Sequence, residues 1–155
     1  MIARLSGTVW SVGKGYVVLN VGGVGFQVSV PSGVLSHLDG VGQPAELFTH
    51  LHVREGELAL YGFLTEEELA LFRLLLSVSG VGPKVALAVL STVSPDALRQ
   101  AVTHEEPGIL TRVPGIGPKT AKAIIFHLKD KLIPTGVAAV PLLSDADAAV
   151  IAALT

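Results

Sequence analysis

The 155-residue chain has no cysteine, one methionine, one tryptophan and few other aromatic side chains. Without cysteine it can form neither a disulfide framework nor a thiolate metal site. No apolar run approaches the roughly 20 residues that a membrane-spanning helix needs, and the first residues lack the segments of a secretion signal. We therefore expect a cytoplasmic protein.

The chain also lacks a basic excess, since its net charge is −2, and this alone argues against nucleic-acid binding. Residues 65–131 nevertheless carry eight Lys and Arg against seven Asp and Glu, and five of the eight lie within 112–131. A local basic stripe is therefore present. Half of the residues are hydrophobic, with a mean hydropathy of +0.60, enough for a core and a subunit interface.

The first part of the chain predicts β structure. Short β-branched and aromatic runs, separated by glycine-containing turns, are typical of strands; they are GTVWSV, GYVVLNV, GVGFQVSV, AELFTHLHV and ELALYGF. Between the third and fourth runs, SGVLSHLDGVGQP can hold one helical turn. This order favours a small Greek-key barrel of the OB type, with an SH3-like barrel as the alternative.

After this region the periodicity becomes helical. Helix starts are predicted at capping signals, namely Thr65 with Glu68, Ser94 with Pro95, and Thr103 with Glu106. A longer helix is expected from about Pro118 to Lys131, and a capped apolar stretch follows a Pro/Gly/Ala-rich segment near the end.

These patterns predict an α+β multidomain chain, an OB-like β-barrel followed by an all-helical domain. The barrel is assigned to residues 1–63 and the helical domain to 64–132. A flexible linker is expected over 133–143, and 144–155 is expected to begin a truncated third unit. The sequence does not decide whether that unit continues beyond Thr155.

An internal repeat is the most informative feature of the helical part. VSGVGPKVALAVL (78–90) aligns with VPGIGPKTAKAII (113–125) at a constant offset of 35 residues. The shared positions are Gly80, Gly82, Pro83 and Lys84 in the first copy, and Gly115, Gly117, Pro118 and Lys119 in the second. Each copy predicts two helices joined by a Gly-apolar-Gly hairpin.

Such a hairpin can form an anion site. We expect both glycines of a copy to turn the backbone at positive φ, while Val81 or Ile116 inserts between the helices. Peptide N–H groups then face outward beside the N-terminus of the next helix, where an anion is favoured. Lys84 and Lys119 add positive charge beside that anion.

The ligand of these hairpins is predicted to be DNA phosphate. Pro118 excludes a Walker A loop because it separates the last glycine from the lysine, and Thr120 stands where a Rossmann fingerprint needs glycine. Two hairpins in equal register can each hold one strand of a duplex. The candidate phosphate-binding residues are Gly80, Val81, Gly82, Lys84, Gly115, Ile116, Gly117, Lys119, Thr120 and Lys122.

The helix after the second hairpin supports this prediction. At about 100° per residue, Lys119, Lys122 and Lys129 lie within roughly 80° of one another, opposite an apolar face. Beside such a hairpin we favour phosphate contact over a solvated lysine face. The contributions of Lys129 and Lys131 stay open.

Several stretches together resemble the RuvA family of Holliday-junction-binding subunits: MIARLSGTVW, VGGVGFQV, FTHLHVREGELALYGF, GVGPKVALAVLS and LTRVPGIGPKTA. The resemblance covers about residues 1–132. It implies a tetramerising OB-like domain, tandem helix-hairpin-helix motifs that hold a four-way junction open, and a third domain that contacts RuvB, a hexameric ATPase motor. It also implies branch migration in recombination, repair and the SOS response, with the resolvase RuvC as a further candidate partner. The sequence leaves homotetramer and octamer open.

The resemblance further implies an acidic pin in the turn after the fourth strand, where this chain has Arg54-Glu55-Gly56-Glu57. Glu55 matches the first acidic position, and Gly56 stands at the second. Whether Glu57 supplies the second charge is open. Carboxylates at the centre of a tetramer would repel phosphates and help to separate base pairs.

No catalytic or metal site is predicted. His50 and His52 share one strand face, but no third ligand is evident. The chain is therefore expected to be a non-enzymatic DNA-binding scaffold without a cofactor. The alternatives are a helix-hairpin-helix repair enzyme (a glycosylase or nuclease), for which Asp130 is the candidate carboxylate, and a protein-interaction module.

Overall fold

A computed structural model describes residues 2–132 of the chain. The predicted linker over 133–143 and third unit over 144–155 lie outside these residues. The strands are β1 (Arg4–Gly13), β2 (Tyr16–Val21), β3 (Val24–Ser29), β4 (Pro44–Arg54) and β5 (Glu57–Phe63). Each of the five predicted β runs overlaps one of them.

The strands close a barrel in the order β1-β2-β3-β5-β4. Neighbouring strands are antiparallel except β3 and β5, which pair in parallel. The helical turn predicted before the fourth strand is α1 (Ser32–His37). A closed five-stranded barrel with this insert confirms the OB-like prediction.

Alternation along the strands fills the barrel with apolar side chains, because every second residue points inward. The most deeply buried of them are Val9, Val17, Leu19, Val28 and Leu47. The fully buried residues of the barrel core are all aliphatic, and the aromatic Phe26 packs against them while partly exposed.

The helical part contains α2 (Glu66–Leu76), α3 (Pro83–Thr92), α4 (Pro95–Thr103), a 3-10 helix (Pro107–Arg112) and α5 (Pro118–Leu132). Two predicted caps are confirmed: the Thr65 hydroxyl accepts from the Glu68 N–H, and the Ser94 hydroxyl from the Ala97 N–H, both at 3.1 Å. Within residues 2–132, no helix is both long and apolar enough to cross a membrane.

The predicted cap at Thr103 is wrong. Thr103 is the last residue of α4, and its hydroxyl donates back to the Arg99 carbonyl at 2.9 Å. The chain then leaves the helix through Glu105, whose φ is +52°, and a 3-10 helix starts at Pro107. A residue in the left-handed region cannot continue an α-helix, so the Thr103-x-x-Glu106 pattern caps nothing here.

The barrel and the helices share a hydrophobic contact. Phe63 ends β5, Phe72 lies in α2, and their fully buried rings are 4.9 Å apart between centroids. Only Leu64 and Thr65 separate β5 from α2. A second contact joins α1 to α3, where the Ser32 N–H donates to the Ser91 hydroxyl at 3.1 Å.

Candidate nucleic-acid interface

The two repeated hairpins have the same backbone hydrogen bonds. In each bond a backbone N–H donates to a backbone carbonyl. In the first hairpin the bonds run from Val78 to Leu75, from Val81 to Val78 and from Ala86 to Gly82. Their equivalents in the second hairpin run from Val113 to Leu110, from Ile116 to Val113 and from Ala121 to Gly117. The two bonds of each pair have the same length, at 3.0, 3.1 and 2.9 Å. The sequence repeat is therefore a repeat of structure, although α2 precedes the first hairpin and the 3-10 helix precedes the second.

The first glycine of each hairpin has the predicted conformation, with φ of +90° at Gly80 and +91° at Gly115. The prediction is wrong for the second glycine. Gly82 has φ −99° and ψ −178°, and Gly117 is likewise outside the positive-φ residues. The reason is that the second glycine precedes the following helix in extended backbone, which any residue can adopt.

Neither conformation nor packing within the chain requires glycine at these second positions. A Cβ added at Gly82 or Gly117 would meet no atom of residues 2–132 within 4 Å. A helix of this kind more often begins after Ser, Thr, Asp or Asn. Glycine instead leaves the backbone uncovered, which allows a ligand to approach the first turn of the helix closely.

The apolar residue between the glycines inserts into the helical core as predicted, since Val81 and Ile116 are each 6% exposed. Their peptide N–H groups donate to Val78 and Val113 and are not available to a phosphate. We therefore revise the role of Val81 and Ile116 from phosphate ligands to residues that hold the turn.

Other peptide N–H groups remain available in each hairpin. Those of Gly82, Lys84 and Val85 have no acceptor within residues 2–132, because the first turn of a helix has no preceding carbonyls to bond. The same is true of the equivalent positions, Gly117, Lys119 and Thr120. These N–H groups lie at the positive end of the helix dipole, so they can bind an anion.

The lysines of the two hairpins differ in number and availability. Lys84, Lys119 and Lys122 are exposed and form no ion pair with any residue in the described range. Lys129, in contrast, is paired with Glu105, and its hydrogen bond and charge lower the pKa of that carboxyl. The basic stripe that is open to a ligand therefore consists of Lys119 and Lys122, with exposed Lys131 near the end of α5.

The second hairpin is the more polar of the two. Thr120 and Lys122 of α5 correspond, at the offset of 35, to Val85 and Leu87 of α3. These two apolar residues pack against the helical core. The first hairpin therefore offers one lysine to an anion and the second offers two.

The turn between β4 and β5 is the candidate acidic pin. Gly56 has φ +77°, and Arg54 pairs with Glu57 across the ladder, with the Arg54 Nε and Glu57 Oε1 atoms 3.9 Å apart. Glu55 is exposed and forms no ion pair with the described part of the chain. The carboxylate of Glu57 is thus partly neutralised, whereas that of Glu55 is free.

This turn lies at the tip of a protruding ribbon. β1 pairs with β4 only from Pro44 to Phe48, and β3 pairs with β5 only at Leu60 and Tyr61. Residues 52–54 and 57–59 consequently pair only with each other. The ribbon carries the acidic turn beyond the end of the barrel.

The two strand histidines belong to the contact between the barrel and α2. His50 packs edge-on against Phe72, with centroids 5.6 Å apart, and accepts from the Arg73 Nε at 3.4 Å. Burial, followed by the nearby Arg73 and His52, lowers the pKa of His50. No cluster of three or more His, Asp or Glu suited to a metal occurs among residues 2–132. The sequence carries no local signal for this contact, which joins positions 23 residues apart.

Two family models match the chain. The model of the RuvA N-terminal domain matches residues 1–62, and that of a SAM-like helix-hairpin-helix tandem matches residues 72–130. The first match covers the barrel, including the ribbon with its acidic turn. The second covers both hairpins, the last five residues of α2 and most of α5.

Curated proteins named "Holliday junction branch migration complex subunit RuvA" are similar to most of the chain. The relative from Symbiobacterium thermophilum is 51% identical over 91% of this chain and 70% of its own length. Those from Herpetosiphon aurantiacus and Dehalococcoides mccartyi are 49% and 44% identical over 84% and 85% of this chain, and over 66% and 68% of their own lengths. The chain thus spans about two thirds of the length of these relatives.

Proposed function

The chain belongs to the RuvA family, and we propose that it binds four-way DNA junctions and holds them open for branch migration. One observation carries this proposal: two hairpins with the same backbone hydrogen bonds, 35 residues apart, each present an exposed lysine and N–H groups that have no acceptor among residues 2–132. Relatives over most of the chain carry the corresponding name.

Each hairpin would bind one phosphate of the DNA backbone. The N–H groups at Gly82 and Gly117 supply short-range donors, and Lys84, Lys119 and Lys122 supply charge. Contacts to phosphates fix the position of a protein on DNA without reading bases. We therefore expect recognition of junction shape with little sequence preference.

The acidic turn would lie at the centre of the bound junction, as the resemblance to the RuvA family implies. Glu55 is the carboxylate best placed to repel phosphates, because Glu57 faces Arg54. The β4–β5 ribbon projects this charge away from the barrel. Glu57 would then contribute less than a second free acid.

In this proposal the chain is a DNA-binding scaffold, and the ATPase activity belongs to a motor partner, RuvB. We propose a homotetramer or an octamer that acts in the cytoplasm during recombination, repair and the SOS response, with RuvC as a further partner. In this proposal residues 1–63 assemble the subunits, 64–132 bind DNA, 133–143 are a linker, and 144–155 begin the unit that contacts the motor. The high apolar content of the chain supports assembly.

A binding assay tests the proposal. Labelled four-way junctions and linear duplexes of equal length would be titrated with the full chain over a salt series. We expect a strong preference for the junction and an affinity that falls steeply with salt, with intact DNA recovered afterwards. Equal affinity for both DNAs would contradict junction recognition. Strand cleavage or base release would favour a repair enzyme instead.

A further inference from the structure

The β4–β5 ribbon carries an exposed apolar pair beside its acidic turn. Val53 and Leu58 are direct partners in the ladder, one position before Arg54 and Glu57. Val53 is 62% exposed and Leu58 is 72% exposed. Two large apolar side chains therefore stand together at the free end of the ribbon.

Strand alternation explains the position of this pair. Side chains two residues apart share a face of a strand, so Val53 and Leu58 lie on the same ribbon face as Leu51 and Leu60. Leu60 packs against the barrel core. The core-facing side of the ribbon thus continues past the barrel, where neither β1 nor β3 covers it.

We infer that Val53 and Leu58 contact the faces of nucleobases at the centre of a bound junction. The inference rests on the proposed function, which brings the ribbon to the crossover. Proteins that unstack DNA insert apolar side chains between bases, and bases at a crossover have faces without a regular stacking partner. The pair would stabilise the opened state by covering those faces.

The charges around the pair favour bases over the DNA backbone as the occupant. Among residues 2–132, Glu55 forms no ion pair, and it lies next to the pair in the turn, whereas the neighbouring Arg54 faces Glu57. A phosphate at this position therefore meets the Glu55 carboxylate. Base faces are uncharged and apolar, and Glu55 does not repel them. The carboxylate and the apolar pair therefore act together: one excludes phosphates and the other accepts bases.

The test uses four-way junctions with 2-aminopurine at the crossover, because its fluorescence rises when the base unstacks. The full chain would be compared with a double variant, Val53→Thr with Leu58→Thr, which keeps strand-forming residues but removes apolar surface. Val41→Thr is the matched control, since Val41 is 65% exposed and precedes β4 at the opposite end from the turn.

We expect the unmodified chain and the Val41→Thr control to raise the fluorescence equally. The double variant should lose about half or more of that rise, while its junction affinity stays within about twofold. Leu58→Met retains an apolar side chain and should retain the rise, which distinguishes lost contact with bases from a misfolded ribbon.

An unchanged fluorescence rise in the double variant would overturn the inference. A smaller assembly of that variant in light scattering would also overturn it, by assigning the pair to a contact between copies of the chain. If the unmodified chain shows no junction preference, the proposed function itself fails, and the inference fails with it.

Discussion

Gly80 holds φ at +90° whereas Gly82, two residues later in the same hairpin, holds it at −99°. The first glycine is required by the fold, because other residues are strained in the left-handed region. The second is not required by anything in the described chain, since a Cβ there has open space around it. The two glycines of each hairpin can therefore be tested separately.

Replacing the second glycines should reduce DNA binding without unfolding the protein. In the double variant Gly82→Ala with Gly117→Ala, the poorer helix start and the smaller entropy of the unfolded chain offset each other, so stability should change by less than about 0.5 kcal/mol. Junction affinity should fall about tenfold or more, as expected for lost hydrogen bonds to a charged group. Chemical denaturation and fluorescence anisotropy measure the two effects.

The controls for this variant are other glycine substitutions. Gly33→Ala, in α1, also introduces a Cβ into open space among residues 2–132; it should leave affinity unchanged and raise the free energy of unfolding by no more than about 1 kcal/mol. Gly80→Ala or Gly115→Ala should each lower the free energy of unfolding by about 1–2 kcal/mol. Normal junction binding by the Gly82 and Gly117 double variant would remove the helix starts from the interface.

The lysines should contribute unequally to the salt dependence of binding. Lys119→Gln with Lys122→Gln should lower the magnitude of the slope of log affinity against log salt by about 1.8, and Lys84→Gln by about 0.9. Lys129→Gln is the internal control, because Lys129 is paired with Glu105. If Lys129→Gln lowers the salt slope as much as the loss of Lys119 or Lys122 does, the ion pair between Lys129 and Glu105 is not retained in the DNA complex.

The two acids of the turn should differ in their effect on junction opening. Glu55→Gln removes a free carboxylate, whereas Glu57→Gln removes one that faces Arg54. Branch migration driven by the motor partner should therefore change more in Glu55→Gln than in Glu57→Gln. The double variant should resemble Glu55→Gln alone. Unchanged branch migration in the double variant would show that this turn is not an acidic pin.

Stability should depend on pH through His50. Its pKa is lower in the folded protein than the ordinary value of 6.5, chiefly because of burial. The unfolded chain therefore binds the proton first, so the stabilisation is complete above pH 6.5 and declines as the pH falls through 6.5 towards the folded-state pKa. His50→Gln should weaken this decline. Denaturant midpoints at pH 7.5 and about 5.5 measure it, and an unaltered decline in the variant would exclude His50 as its source.

Arg73→Gln provides a graded comparison for His50. The Arg73 cation is the second cause of the lowered pKa, and removing it should bring the pKa closer to its ordinary value. The decline of stability with falling pH should then be smaller than in the unmodified protein. A larger decline would contradict the contact between Arg73 and His50.

Local patterns in the sequence were sufficient to predict most of the strands and helices. Alternation and turn glycines predicted the strands, and the caps at Thr65 and Ser94 marked helix starts that the structure confirms. The same kind of pattern failed at Thr103, because Glu105 takes the left-handed conformation. A single backbone angle thus overrode a favourable pairing of residue types.

The candidate site was predictable in position but less so in detail. The repeat located both hairpins. The residue type alone does not reveal the sign of φ, which is positive at Gly80 and negative at Gly82. The pairing of Lys129 with Glu105 joins residues 24 apart, and the exposure of Leu58 depends on where β1 and β3 stop. Such features follow from tertiary structure, which local spacing does not encode.

The short connection between the barrel and the helices has a mechanical consequence. Phe63 packs on Phe72, and only two residues separate β5 from α2, so the barrel and the helices are joined closely. The contact and the short connection restrain the distance from the β4–β5 turn to the hairpins. In the proposed complex, DNA whose arms match that distance, or bend to match it, would be favoured over DNA that reaches only the turn or only the hairpins.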